Sequence, residues 1–201
     1  MRRVLIPSLA LGFLISAASP AAAVASYETE EIAILRTVVA QARRLAGGPV
    51  CIDLHLRGQL PNAATLARRW VRDARRARAP GFERIERALG SHGGRAATAD
   101  RDLDGRELAG ANGISGPVVE RCPAQEWFSF SRPVLSRGAA VIEAAVGSDC
   151  SAGWIFVALG QRGRRWVVEG EYSVTVPGGL GCGQAYPAQQ AAAGHYLVMG
   201  E

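Results

Sequence analysis

The chain contains no lysine; all 23 of its basic side chains are arginine. That removes every site built on an ammonium group and leaves the planar guanidinium, whose fork suits carboxylates and phosphates. The arginines are spread beside abundant Ala and Gly, which also reads as a compositional habit. The four cysteines lack the close C-x-x-C spacing of zinc sites, so a structural zinc cage is not expected. No G-x-S-x-G occurs, which excludes a recognisable nucleophile elbow. No apolar run approaches the ~20 residues that a membrane-spanning helix needs. No cofactor-binding loop is present, and no cofactor is expected.

What is present begins with an export signature. Met1-Arg2-Arg3 is cationic, Val4 to Ile15 is apolar, and Ala23-Val24-Ala25 fits the small-x-small cleavage pattern. The expectation is a Sec-type signal peptide over 1–25 and one domain over 26–201. Such a protein is secreted or periplasmic, where thiols become disulfides. No cysteine sits at the cleavage point, so lipid attachment is not expected there. Loss of Arg2 and Arg3 lowers the net charge from +5 to +3.

Residues 28–46 carry Ile32, Leu35, Val39 and Ala42 at helical spacing, with Glu28, Glu30 and Glu31 at the start and Arg43 and Arg44 at the end. Val50 to Leu56 alternates as a half-buried strand, with Cys51, Asp53 and His55 on one face. Residues 63–78 form a second helix with Leu66, Trp70, Val71 and Ala74 inward, and Phe82, Ile85 and Leu89 mark a third. Residues 91–116 have no period and read as an irregular connection. From 126 onward four apolar runs alternate with short links, which predicts antiparallel neighbours. In the last of them, Trp166, Val168, Tyr172, Val174 and Val176 are expected on one face. The Gly- and Ala-rich tail 177–201 offers Tyr196 to Met199 as an edge strand. The expected fold is α+β, with the N-terminal helices on one face of an antiparallel meander.

Residues 128–176 carry Ser131, Pro133, Val134 and Ser136, then Cys150 and Gly153, then Gly163, Trp166 and Val168. That series resembles the C-terminal meander of a broad group of uncharacterised exported bacterial proteins. The resemblance implies a fold and carries no activity. Relatives in that group often hold two cysteines in the Gly-rich turn, where this chain holds only Cys150.

Four cysteines allow three pairings. In a meander, the turn holding Cys150 lies at the sheet end where Cys182 can fold back, which favours that pair. Cys51 and Cys122 then pair by elimination.

Four groups of side chains are candidate sites. Asp53 and His55 share a strand face as orienter and base, and with Glu143 they are the catalytic candidates. Glu143, Glu169 and Glu171 are also weighed as a carboxylate patch, against wet-face glutamates. Asp100, Asp102 and Asp104 followed by Gly105 match the opening of a calcium loop, but the closing position is Ala111. On the second helix Arg68, Arg69, Arg72, Arg75 and Arg76 face Asp73 alone, a candidate anion-binding surface. Nucleic acid is not the expected partner, because no aromatics interleave with the arginines. The four tryptophans, Trp70, Trp127, Trp154 and Trp166, are expected to pack the core.

The leading expectation is a non-catalytic exported protein with a binding or structural role in the envelope, its partner an anionic envelope component. A hydrolase-like enzyme assembled around His55 is the alternative. A weak calcium-dependent module is the third reading.

Overall fold

The apolar stripe Ile34, Leu35, Val38, Val39 and Ala42 is buried on one side of α1 (Pro20–Leu45) in the computed structural model of the chain. The structure describes residues 20–46, 48–59, 63–76, 81–92, 94–109, 114–124, 126–147, 151–177 and 195–199. Pro20 opens α1, as its fixed φ and missing N–H suit a first turn. The helix therefore starts before Glu28 and runs through the expected cleavage point at Ala25. Glu31 does not cap a helix end; it lies on the apolar stripe and is fully buried.

The strand expected over 50–56 divides. β1 (Val50–Asp53) joins the main sheet, and β2 (His55–Leu56) turns away to pair with β3 (Arg101–Asp102). The segment 91–116 is thus not irregular throughout. It holds β3 and a short α4 (Gly105–Leu108) as well as extended chain. Two further helices, α2 (Ala63–Arg76) and α3 (Phe82–His92), match the sequence expectation to within a few residues.

The remaining strands are β4 (Val118–Val119), β5 (Glu126–Phe130), β6 (Val134–Ser136), β7 (Ala139–Gly147), β8 (Ser151–Arg162), β9 (Arg165–Pro177) and β10 (Tyr196–Met199). They form one sheet in the order β4-β10-β1-β5-β7-β8-β9, with β6 also on β7. The sheet is mixed: β1 and β5 run parallel, and the other pairs are antiparallel. β10 is not an edge strand but lies between β4 and β1. Gly138 and Gly163, at φ 70° and 63°, supply the left-handed residue of the two tight turns at β6–β7 and β8–β9.

The fold is α+β, but helices cover both faces of the sheet rather than one. Ala140, Ile142, Ala144, Val157 and Leu159 pack with α1. Their neighbours Ala139, Val141 and Ala158 pack with α2 and α3 through Ala67, Val71, Phe82 and Ile85. The pleat forces this division, because successive side chains point to opposite faces. A bulge in β9 corrects a second expectation. Ala158 pairs with Gly170 while Leu159 pairs with Val168, which leaves Glu169 as the extra residue. Trp166 and Val168 therefore face α1, and Tyr172 faces the other way, against Phe156. Of the tryptophans, Trp127 and Trp166 are buried and Trp70 packs on Phe156, whereas Trp154 stays exposed.

Cys51 and Cys122 form a disulfide, with Cα atoms 5.7 Å apart across 71 residues of sequence. Cys150 and Cys182 lie outside the described residues. Among the described residues no helix is long and apolar enough to cross a membrane.

Candidate functional site

Beyond β1 the chain keeps Leu54 and Leu56 in the core, so Asp53, His55 and Arg57 emerge on the opposite face. The β2–β3 pairing sets His55 directly across from Asp102. The His55 Nδ1 lies 2.8 Å from Asp102 Oδ1, and Nε2 lies 3.4 Å from Asp100 Oδ2. The backbone N–H of His55 donates to Asp53 Oδ1 at 3.0 Å. Asp100 also accepts from the Gly58 N–H at 2.7 Å. The catalytic pair and two of the three calcium candidates thus meet in one cluster.

The titration of these groups follows from their partners. The hydrogen bond to Asp102 raises the His55 pKa; burial opposes it, and the charges of Asp102, Asp100 and Asp53 add to the rise. Burial raises Asp53, opposed by the His55 N–H. The Gly58 N–H lowers Asp100. A histidine raised in the folded state contributes stability below its unfolded pKa and loses it as pH rises through the folded one. Unfolding free energy is therefore expected to fall as pH rises above the ordinary histidine range, by less than ~1 kcal/mol because the pair is exposed. His55→Gln should flatten that slope in urea titrations; an unchanged slope would place the proton elsewhere.

Arg57 and Glu143 border the cluster. The Arg57 backbone is held between Phe130 O and the Arg132 N–H. Its Nε and Nη2 are buried with no hydrogen-bond partner among the described residues. Glu143 is tied through its backbone to Ser131, whose Oγ accepts the Glu143 N–H at 3.1 Å. Burial raises the Glu143 pKa, and the Arg57 charge opposes it. The carboxylate patch does not form: Glu169 pairs with Arg84 and Arg162, and Glu171 sits opposite Val157 on the α1 face, away from Glu143.

Two of the three calcium candidates are engaged elsewhere. Asp104 caps α4, accepting from the Arg106 N–H while Glu107 reaches back to the Asp104 N–H, a complete capping box. Asp102 is taken by His55. Among the described residues no group of three or more His, Cys, Asp or Glu is placed to hold a metal ion.

On the far side of the segment 95–102 lies a buried ion network. Glu31 receives Arg132 through Nε at 2.7 Å and Nη2 at 3.1 Å, and Arg101 Nη1 at 2.7 Å. Arg101 extends the chain to Glu107 at 2.6 Å. Burial works against the Arg132 charge, but the bonds to Glu31 more than offset it and raise the pKa. Arg132 also donates to Ala99 O and stacks on the Tyr27 ring at 5.4 Å. Beside it opens a cleft of about 390 Å³ lined by Tyr27, Glu28, Arg95, Ala96, Ala97, Thr98, Ala99 and Arg132.

The arginine-rich α2 packs against α3 and β6, with Trp70 reaching Phe156 of β8. Arg75 reaches Glu83 and Glu86, and Arg76 reaches Asp73, so these two are partly neutralised. Arg68 is half-buried and has a partner of its own. Arg69 and Arg72 are exposed with no ion pair among the described residues. Ser136 Oγ bonds Ala88 O and Arg84 pairs with Glu169, which join α3 to the β6 and β9 ends. Exposed Arg137, Arg164 and Arg165 in those turns also have no ion pair among the described residues.

Sequence reasoning missed Glu31, Arg101, Arg132 and the Tyr27 cleft. One signal existed: Glu31 falls at helical spacing from Leu35, Val38 and Ala42, a charge on an apolar stripe. Its two arginine partners are remote in sequence and carry no such mark. No family model, curated protein or solved structure matches the chain.

Proposed function

We propose that the chain is an exported envelope protein that acts by binding an anionic envelope component. One observation carries the reading: Arg69 and Arg72 on α2, and Arg137, Arg164 and Arg165 at the adjoining β6–β7 and β8–β9 turns, are exposed without ion-pair partners among the described residues. Unpaired guanidinium groups on a solvated surface create a positive field that recruits anions. The Cys51–Cys122 disulfide supports an oxidising compartment, as expected of an exported chain. Bilayers rich in anionic headgroups are the natural extended partner in an envelope.

The test is co-sedimentation with vesicles. The protein is expected to bind phosphatidylglycerol-rich vesicles and to leave phosphatidylcholine vesicles unbound. Near such a surface each arginine contributes about 1 kcal/mol, so a variant with Arg69, Arg72 and Arg164 changed to alanine should bind on the order of a hundredfold more weakly. Equal binding to both vesicles, or an unaffected triple variant, overturns the reading.

A second reading, a hydrolase-like enzyme, draws on the 2.8 Å contact of His55 with Asp102. The two side chains are 47% and 87% exposed. Among the described residues the His55 ring meets only the two aspartates, with no hydroxyl or thiol to activate. An open dyad without a nucleophile favours binding over catalysis.

A further inference from the structure

We propose that the cleft beside Tyr27 is a binding site for a small zwitterion, an amino acid or the backbone ends of a short peptide. The site is independent of the arginine surface. Its volume, about 390 Å³, falls in the usual range for small-molecule sites.

Its walls are fixed before any ligand arrives. The Tyr27 hydroxyl donates to Pro133 O at 2.6 Å. The Arg132 guanidinium is held along its Nε–Nη2 edge by Glu31, and its Nη1 fastens Ala99 O. Arg95 exchanges both backbone hydrogen bonds with Leu135, at 2.6 and 2.8 Å. The Ala97 carbonyl accepts from the Gln59 N–H at 2.7 Å. A wall held this way loses little freedom on binding, so less affinity is lost to ordering.

Two charges in this lining are left available. Glu28 makes no direct hydrogen bond or ion pair among the described residues, and its charge acts on Arg132 only at longer range. Arg95 is 56% exposed and has one loose contact, 3.9 Å to Glu30. Arg132 is different, because Glu31 already neutralises it. The cleft therefore offers one carboxylate and one guanidinium against small apolar side chains and an aromatic ring. A carboxylate seated on Arg95 gains a charge-assisted, fork-shaped pair, and an ammonium seated on Glu28 gains the opposite one. An apolar side chain between them lies against Tyr27, Ala96 and Ala97. An anion alone meets Glu28 unfavourably, and a cation alone meets Arg95 unfavourably. Together they select a molecule that carries both charges.

The experiment is ligand-observed NMR on the purified full chain. The probes are L-leucine, L-phenylalanine and glycyl-L-phenylalanine at millimolar concentration. Hydrocinnamate and phenethylamine serve as the single-charge counterparts of phenylalanine. The zwitterions are expected to bind, and each counterpart about tenfold or more weaker. Arg95→Gln should weaken the zwitterions and hydrocinnamate but not phenethylamine. Glu28→Gln should weaken the zwitterions and phenethylamine but not hydrocinnamate. This crossed pattern separates recognition from a general loss of structure. If no probe binds, if the single-charge counterparts bind equally well, or if both variants bind as the wild type does, the proposal fails.

Discussion

Replacing Glu31 with alanine is expected to cost about 3–5 kcal/mol. The reason is the company Glu31 keeps. Its carboxylate is fully buried and takes three charge-assisted bonds, two from Arg132 and one from Arg101. Arg132 is 9% exposed at its side chain, so its charge has little water to turn to once Glu31 is gone. Burying an unpaired charge is far more costly than losing a surface pair. Arg101 suffers less, because it is more exposed and keeps Glu107 at 2.6 Å. Urea unfolding monitored by circular dichroism measures the loss. A double variant, Glu31→Leu with Arg132→Met, should recover much of it, since removing both partners leaves no stranded charge. A Glu31→Ala loss under about 1 kcal/mol would mean that the pair is solvated rather than buried.

The second large effect concerns Cys51 and Cys122. Changing both to alanine is expected to lower stability by about 4 kcal/mol on the chain-entropy account for a closed loop of this length. The topology explains why a bridge belongs there. β1 and β5 are parallel neighbours, so the chain must leave β1, cross, and return before they pair. That crossover spans β2, α2, α3, β3, α4 and β4, and its closure is a large entropic cost before any strand contact forms. The bridge joins Cys51, within β1, to Cys122 just before β5, and so shortens the search. Comparing urea midpoints of the wild type and the double variant gives the magnitude. If the two midpoints coincide, the unfolded chain is already compact there and the bridge adds nothing. In a reducing compartment the wild type should approach the variant's stability, which fits residence outside the cytosol.

The periodic elements were legible because their signal is local. α2 and α3 declare themselves through apolar residues three and four apart, and the runs that became β7, β8 and β9 through short Gly-bearing links. The pairing of Cys51 with Cys122, reached by elimination once Cys150 was assigned to Cys182, is the one the structure holds. Part of the candidate site was legible too, since Asp53, His55, Asp100 and Asp102 each stood out in its own segment. That the two segments face each other was not legible, because β2 and β3 are two-residue strands without a readable period.

By itself the sequence determined the α+β class, most helix and strand locations and the arginine concentration on α2. Each follows from neighbours within a few residues. Only the tertiary structure decided which helix covers which sheet face, that β1 lies parallel to β5, and that the Glu169 bulge reverses the inward face of β9. It also decided that Glu31, Arg101 and Arg132 meet in the interior. Most of these depend on contacts between residues far apart in the chain, where the burial of apolar surface over the whole domain sets the outcome and no local pattern records it.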